Sequence, residues 1–294
     1  MRCDLHVHTI HSGMCTVPIA RRFCRESYNQ PEEVYESLKR RGMQLVTITD
    51  HDSIDAGESL LSYPDFFQSV EVTAVMPSGA EAHIAVYGLS DRQHFEIQRR
   101  RKDLVRLLGY LAEQRLPFAI NHIFSGLTGR RHLEDFGWFE KRFGLVETVN
   151  SAMSAACNEN ARRFAAQHGK AAVAGSDAHT LRSLGSAWTE VRQARTREDY
   201  LAGLRLGHTR VHGRSSGSFH FTLDVLTIVG ELMREKIWTV ALAPLVAALP
   251  LVILLHHARE SAFARHWFRR LAQGHSDGGA VAHWPGRGGE GAAA

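Results

Sequence analysis

The chain has 294 residues, enough to bury the core of one large α/β domain with an appendage. Its formal net charge of +4 is too small to indicate a stable partner in duplex nucleic acid. The four cysteines form no C-x-x-C pair, and the N-terminus lacks the basic and apolar regions of a signal peptide, so we expect a cytoplasmic protein. The informative count is the 18 histidines, because several stand beside Asp or Glu near predicted strand ends.

The segment 1–213 alternates short apolar runs with helical stretches, which is typical of βα units around a parallel sheet or barrel. Pro31 begins a helix that Gly42 ends, residues 92–114 predict one long helix, and Thr196 with Asp199 predicts a capping box. We therefore expect a (β/α) barrel-like domain that ends near residue 212. The predicted strands are 3–8, 44–49, 70–74, 83–88, 117–121, 145–149 and 171–175.

The composition changes after the Ser/Gly-rich break at 214–218. We predict a linker and helical segment at 214–236, an apolar segment at 237–256, and a basic, then Gly/Ala-rich and partly disordered tail at 257–294. Pro244 and Pro250 interrupt the apolar segment, so peripheral attachment at the inner face of a membrane is favoured over a full span, and a buried or partner-binding helix remains an alternative. We expect the barrel to fold without this tail.

The first motif is Asp4-Leu5-His6-Val7-His8. Side chains alternate along a strand, so His6 and His8 share one face and converge at one strand end. Neutral imidazole is a common ligand for zinc, manganese and iron. Two histidines at this spacing are equally consistent with an incidental arrangement, so the motif alone does not decide.

Five further segments place polar side chains at predicted strand ends. Asp50, His51 and Asp52 follow an apolar run, where a barrel assembles its active site, although the two aspartates could be turn and helix-cap residues. A coincidence of all these segments is hard to sustain, so they favour a metal site. The other candidate residues of this kind are Glu71, His83, Asn121, His122, Asp177 and His179.

Together these segments resemble the polymerase and histidinol phosphatase (PHP) family of metal-dependent phosphoesterases. The matching strings occur in family order and are DLHVHT, TITDHD, INH and GSDAH, with the Glu71 and His83 region between them. The resemblance implies a distorted seven-stranded (β/α) TIM-like barrel that holds two to three Mn²⁺, Zn²⁺ or Fe²⁺ ions. It implies one ion on His6, His8, Glu71 and Asp177, a second on Glu71, His83 and His122, and a third on His51 and His179.

The resemblance also implies catalytic roles for Asp50, His51, Asp177 and His179. Paired cations can activate a water and offset charge on a phosphate, so no nucleophilic Ser or Cys is required. Asp4 or Asp50 could orient a ligating imidazole from behind.

Two adjacent arginines are candidates for substrate binding. Arg130 and Arg131 could clamp a substrate phosphate or could belong to a solvated basic loop. Cys157 and Asn158 are interpreted as helix-start residues.

One position departs from the family pattern. Family members often carry a Ser-Asp-Gly string after the first motif, and its Asp supplies a ligand to the third ion. Here the string is His11-Ser12-Gly13-Met14-Cys15. His11 or the Cys15 thiolate could replace the missing carboxylate, or Cys15 is only a small loop residue. We expect a third site that is weak or empty.

The sequence therefore predicts a hydrolase of phosphoric ester bonds. The leading substrate class is a nucleotide or short oligoribonucleotide, as for a 5′–3′ exonuclease or a nucleoside bisphosphate phosphatase. A histidinol-phosphatase-like activity on a small molecule is an alternative within the family. A non-catalytic metal-binding module at a membrane is the alternative from a different class.

Overall fold

The computed structural model describes residues 1–16 and 20–276 of the chain. The Gly/Ala-rich end, for which disorder was predicted, lies outside the described residues. The predicted α/β class is confirmed within them. The strands are β1 (Arg2–Cys3), β2 (Ser69–Val75), β3 (Glu81–Tyr87), β4 (Phe118–Ile120), β5 (Leu145–Asn150), β6 (Ala171–Gly175), β7 (Ala187–Glu190) and β8 (Arg210–Gly213). The α-helices are α1 (Pro31–Arg40), α2 (Asp91–Arg100), α3 (Leu104–Glu113), α4 (Leu133–Arg142), α5 (Ala155–Gln167), α6 (Arg197–Leu206), α7 (Gly217–Glu235), α8 (Ala243–Val246) and α9 (Leu249–Ser276).

The strands form two sheets. In the larger sheet β2, β3 and β4 pair antiparallel, and β4, β5 and β6 pair parallel. The smaller sheet has the order β1-β7-β8 and is antiparallel. The predicted strands between residues 70 and 175 are confirmed. The sequence analysis did not predict β7 and β8, which are only four residues long.

The described residues do not form the closed seven-stranded barrel that the resemblance implied. Beyond the short β1, the segments predicted as strands at 3–8 and 44–49 make only isolated parallel bridges, such as Val7 to Ala178. The Thr49 hydroxyl accepts from Val7 N at 2.9 Å and donates to Val7 O at 3.1 Å. Thr49 N also donates to Val7 O at 2.8 Å, so the side chain replaces a backbone partner only at Val7 N.

The stretch predicted as one helix at 92–114 is two helices, α2 and α3. Asp103 begins the second helix, because its side chain accepts from Arg106 N at 3.1 Å. Val75 N donates to Arg101 O at 2.9 Å, so the break ties the helix pair to the end of β2. The predicted α1, which begins at Pro31, and the capping box at Thr196 are confirmed.

The C-terminal helices pack into the main core, contrary to the expectation of an independent tail. Ala264 and Trp267 of α9 are buried in the cluster that covers β2–β5. Asn160 of α5 donates to Ala264 O at 2.8 Å. The predicted boundary at residue 213 therefore separates segments that share one core.

The apolar segment forms a 3₁₀ turn at Ile237–Leu242, α8 and the start of α9. Over residues 1–16 and 20–276, no single helix has the length and apolar character to cross a membrane. One bent pair, Ile237–Val246 with Leu249–Gln273, meets at 68° and passes that test jointly by length and composition.

Candidate metal centre

The structure brings the eight predicted metal-ligating side chains into one cluster of six histidines and two carboxylates. They come from the segments that follow β1, β4 and β6, from the segment after residue 49, and from β2 and β3. Four overlapping groups of three have ligand atoms within 4.8 Å of one another. The groups are His8, His51 and His179; His6, His122 and Asp177; His6, His8 and Glu71; and His51, Glu71 and His83.

Glu71 lies at the centre of the cluster and is fully buried. Its Oε1 is 3.2 Å from His6 Nε2 and 3.3 Å from His122 Nε2. Its Oε2 is 3.0 Å from His51 Nδ1. Further contacts reach His83 Nδ1 at 3.4 Å and His8 Nε2 at 3.7 Å. One carboxylate therefore faces five imidazoles, which is the position required of a ligand that bridges two ions.

Asp177 forms the second acidic contact. Its Oδ1 lies 3.3 Å from His8 Nε2, 3.5 Å from His6 Nε2 and 3.6 Å from His179 Nδ1. This carboxylate therefore joins the His6–His8 pair to the His179 side of the cluster.

The donor atoms fit divalent metal ions. Buried polar atoms are normally hydrogen-bonded, yet several buried ring nitrogens that face this cluster have no hydrogen-bond partner. Imidazole and carboxylate together suit zinc, manganese and iron. The unpartnered nitrogens that lie against Glu71 or Asp177 are His6 Nε2, His8 Nε2, His51 Nδ1 and His83 Nδ1, and His179 Nε2 lies against Glu26.

The electrostatics also suit cation binding. Burial opposes ionisation of Glu71, but His6 and His83 outweigh it and hold its pKa well below the usual range. Burial and the neighbouring His179 lower the pKa of His8 to about 3, so this ring is neutral. A metal site needs ionised carboxylates and neutral imidazoles, and these two groups are already in those forms. At His6 burial is outweighed by Asp177 and Glu71, which raise its pKa, so an ion would have to displace the proton of that ring.

The backbone is strained at two candidate ligands and directly after a third, His51. Asp52, His122 and Asp177 have φ values of 53°, 29° and 53°, in a region that residues other than glycine rarely adopt. Gly175 precedes Asp177 by two residues, and a Cβ there would lie 2.2 Å from His6 Cβ. Only glycine lets β6 approach the His6 segment this closely.

Carboxylates behind the cluster orient the ligating rings. Glu147 in β5 accepts from His6 Nδ1 at 2.7 Å and from His122 N at 3.0 Å. The sequence analysis did not single out Glu147, although a Glu within the apolar strand 145–150 is the same signal that marked Glu71. A register shift between Glu147 and Val149 accompanies this position, and such bulges re-aim side chains.

Asp50 and Asp4 act behind the cluster. The Asp50 carboxylate accepts from Ser12 Oγ at 2.6 Å and from Thr9 N at 2.6 Å, and Ser12 Oγ lies 2.9 Å from His8 Nδ1. Asp50 thus orients His8 through Ser12, whereas the resemblance implied a catalytic role for it. Asp4 accepts from the backbone of Ser176 at 2.8 Å rather than from an imidazole.

Arg131 is engaged inside the protein. Its guanidinium donates to Glu81 O and, at 2.6 Å, to Thr128 Oγ1, and it lies over the Phe139 ring. Burial lowers its pKa to about 10. These contacts differ from the predicted phosphate clamp, because they use the guanidinium to hold the loop. Arg130 is exposed on the same loop.

Glu26 is a residue of the site that the sequence analysis missed. Its carboxylate oxygens lie 3.4 Å from His51 Nε2 and 3.6 Å from His179 Nε2. His11 and Cys15, the predicted substitutes for the missing Asp, belong to none of the metal-type groups formed by the described residues. No motif marked Glu26, which lies in the polar stretch between the first motif and α1.

A family model described as PHP-associated matches residues 156–209. The match overlaps the GSDAH motif and agrees with the ordered motifs before it. The ordered motifs and this match support assignment of the chain to the PHP family. The uncharacterised protein MJ1587 of Methanocaldococcus jannaschii is 33% identical over 61 residues, which are 19% of this chain and 32% of that protein. The PHP-family chain thus spans about a third of the length of this curated relative.

One solved structure shares the overall fold at low identity, and two others align with TM-scores below 0.5. PsfC from Pseudomonas syringae PB-5123 aligns with a TM-score of 0.51 and 14% identity over 89% of this chain and 98% of PsfC. A candidate metal-dependent phosphoesterase from Bifidobacterium adolescentis aligns at 0.43 with 13% identity, over 70% of this chain and 96% of its own. An amidohydrolase from Chromobacterium violaceum aligns at 0.45 with 15% identity, over 69% and 96%. The last two alignments are too distant to support a conclusion about this chain.

Proposed function

We propose that this PHP-family chain is a metal-dependent phosphoester hydrolase. The observation that carries the proposal is the convergence of six histidines and Asp177 around the buried Glu71, with inward-facing ring nitrogens that lack hydrogen-bond partners. A donor set of this size exceeds the four ligands of a structural zinc site, so it supports a centre of two to three ions. Paired ions of this kind are typical of phosphoester hydrolysis.

Each ligand would serve a defined ion. By the family resemblance, His6, His8, Glu71 and Asp177 would hold one ion, and Glu71, His83 and His122 a second; of these sets, the geometry groups His6 with His8 and Glu71, and Glu71 with His83. Bound there, such ions would supply Lewis-acid polarisation of a phosphoryl oxygen and lower the pKa of a water molecule.

The protein supplies orientation and charge. Glu147 fixes the ring of His6, and Ser12 fixes the ring of His8, so that each Nε2 faces the cluster. The ionised Glu71 and Asp177 reduce the repulsion between neighbouring cations.

Substrate would enter from the side where the histidines are partly exposed. His51 and His179 are 19% and 22% exposed, whereas His6 and His8 are at most 1% exposed. Substrate would therefore approach the centre on the side of His51 and His179. Arg130, exposed on the loop after His122, could attract the anionic substrate.

We propose a nucleotide or short oligoribonucleotide as the substrate, with exonuclease or nucleoside bisphosphate phosphatase chemistry. The support is the resemblance of the ordered motifs. Histidinol phosphate belongs in the same substrate screen as the small-molecule alternative.

The test uses metal-free protein supplied with Mn²⁺ or Zn²⁺ and an aryl phosphate, followed by nucleoside monophosphates, bisphosphates and short RNAs. We expect metal-dependent phosphate release that Glu71→Gln abolishes and Glu81→Gln, an exposed change on β3, leaves intact. Metal-loaded, folded protein without turnover on any of these substrates would overturn the proposal and favour a non-catalytic metal-binding module.

A further inference from the structure

Glu26 occupies a position that suits a shared ion better than a direct ion pair. Charge-assisted N–H···O bonds are about 2.7–2.9 Å long, but the Glu26 oxygens are 3.4 Å from His51 Nε2 and 3.6 Å from His179 Nε2. Tetrahedral zinc with ligands at about 2.0–2.1 Å separates its donor atoms by roughly 3.3–3.4 Å. The two distances from Glu26 are thus close to the separation of ligands around one cation. Glu26 lies outside the four groups of three among the described residues, but two members of one of them, His51 and His179, are its neighbours.

The loop that carries Glu26 is fixed to the cluster on one side. Ser27 Oγ donates to His8 O at 3.2 Å and to His179 O at 3.1 Å. Asn29 Nδ2 also donates to His8 O, at 3.1 Å. The residues that follow Glu26 therefore bond to the backbone of two ligand residues, and this sets the position of its carboxylate.

The C-terminal region holds the same loop from the other side. Lys236 Nζ donates to Phe23 O at 2.8 Å, and the rings of Phe23 and Trp238 lie 5.2 Å apart. Arg25 pairs with Glu235 at 3.5 Å. The end of α7 and the 3₁₀ turn after it thus brace the Glu26 loop, although they contribute no ligand.

We propose that Glu26 is the carboxylate ligand of a third ion, shared with His51 and His179, and that the brace formed by residues 235–238 keeps it in place. Glu26 would replace, as a ligand of the third ion, the Asp that is absent from residues 11–15. The third site is then a tight one, in place of the weak or empty site expected from the sequence. The inference rests on the proposed metal centre.

The probe is Co²⁺ or Zn²⁺ titrated into metal-free full-length protein, read by calorimetry and, for Co²⁺, by its visible absorption. We expect three tight equivalents in the wild type. Glu26→Gln should weaken only the third, by at least about tenfold, as loss of one charged ligand predicts. Glu26→Asp should weaken it less, and Glu231→Gln, an exposed change on α7, should leave all three.

A second variant tests the brace without touching a ligand. Trp238→Ala should weaken the third equivalent and leave the first two unchanged, with wild-type circular dichroism in the metal-free form. Melting curves of each metal-free variant establish that it is folded.

The outcomes separate this inference from the proposed function. A third equivalent that is unchanged or tighter in folded Glu26→Gln would show that Glu26 only competes as an ion-pair partner, and would overturn the inference. Two equivalents in the wild type would also overturn it while leaving the two-ion centre intact. No bound metal at all would refute the metal centre itself.

Discussion

Glu147→Gln tests how far a side chain that is not itself a ligand sets the affinity of this centre. Glu147 accepts from His6 Nδ1 at 2.7 Å, from His122 N at 3.0 Å and from Asn150 Nδ2 at 3.0 Å. A glutamine keeps the volume, but it has one acceptor oxygen and no charge. Its NH₂ group would face one of these donors, so at least one bond must be lost.

The expected loss of metal affinity follows from the lost hydrogen bond. A hydrogen bond to a charged group contributes about 1.5–3 kcal/mol, and about 1.4 kcal/mol corresponds to a factor of ten. We therefore expect the Kd of the ion on His6 and His8 to rise by about 10–100-fold, the range found for residues that orient metal ligands.

The assay is calorimetric titration of metal-free protein with Zn²⁺. Glu140→Gln, which changes a side chain that is 44% exposed, is the matched control and should bind metal as the wild type does. Circular dichroism of both metal-free variants establishes folding. Wild-type affinity in folded Glu147→Gln would refute the view that this carboxylate tunes the His6 ligand.

Three further predictions follow from single contacts. Ser12→Ala should weaken metal binding about tenfold in the same titration, because it removes the link from Asp50 to His8, whereas the exposed Ser59→Ala should not. Trp267→Ala should lower the free energy of unfolding, measured with urea, by about 3–5 kcal/mol, because the ring is 8% exposed. Phe219→Ala changes a side chain that is 69% exposed and should lower it by less than about 0.5 kcal/mol. Equal losses would contradict the core position of α9. Burial lowers the pKa of His51, but Glu71 and Glu26 outweigh it and raise it to about 9. The folded metal-free protein therefore holds a proton that the unfolded chain releases near pH 6.5, so its melting temperature should fall as pH rises from about 6.5 through 9. Zinc-loaded protein should lack that slope, and a flat metal-free profile would contradict the assignment.

The sequence was sufficient to find the candidate metal-binding side chains that stand on or beside strands and that the structure brings together. Alternation along residues 4–8 predicts that His6 and His8 face one way, and the structure places both against Glu71. A charged residue inside an apolar strand is a strong signal, because burial of an unpaired charge is costly. The same reasoning applied to Glu147 would have found it, since its strand is buried throughout.

The sequence was insufficient where position depends on distant contacts. Glu26 lies in a polar loop with no periodicity, and hydrogen bonds to His8 O, His179 O and Phe23 O fix the loop around it. The closed barrel was over-predicted for a related reason. A threonine in an apolar run predicts a strand by propensity, but the Thr49 hydroxyl replaces a backbone partner at Val7 N.

The C-terminal helix shows how composition can conceal a buried face. Its first turns are apolar and largely exposed, with Leu251 62% exposed, and their composition led to the prediction of membrane association. The buried face lies further along, where Glu260, Ala264 and Trp267 follow at helical spacing. Glu260 accepts from Ser125 Oγ at 2.6 Å and from Gly126 N at 3.0 Å, directly after the ligand His122. The helix whose composition suggested a separate tail thus holds the loop that follows the candidate ligand His122, and the packed domain extends at least to α9.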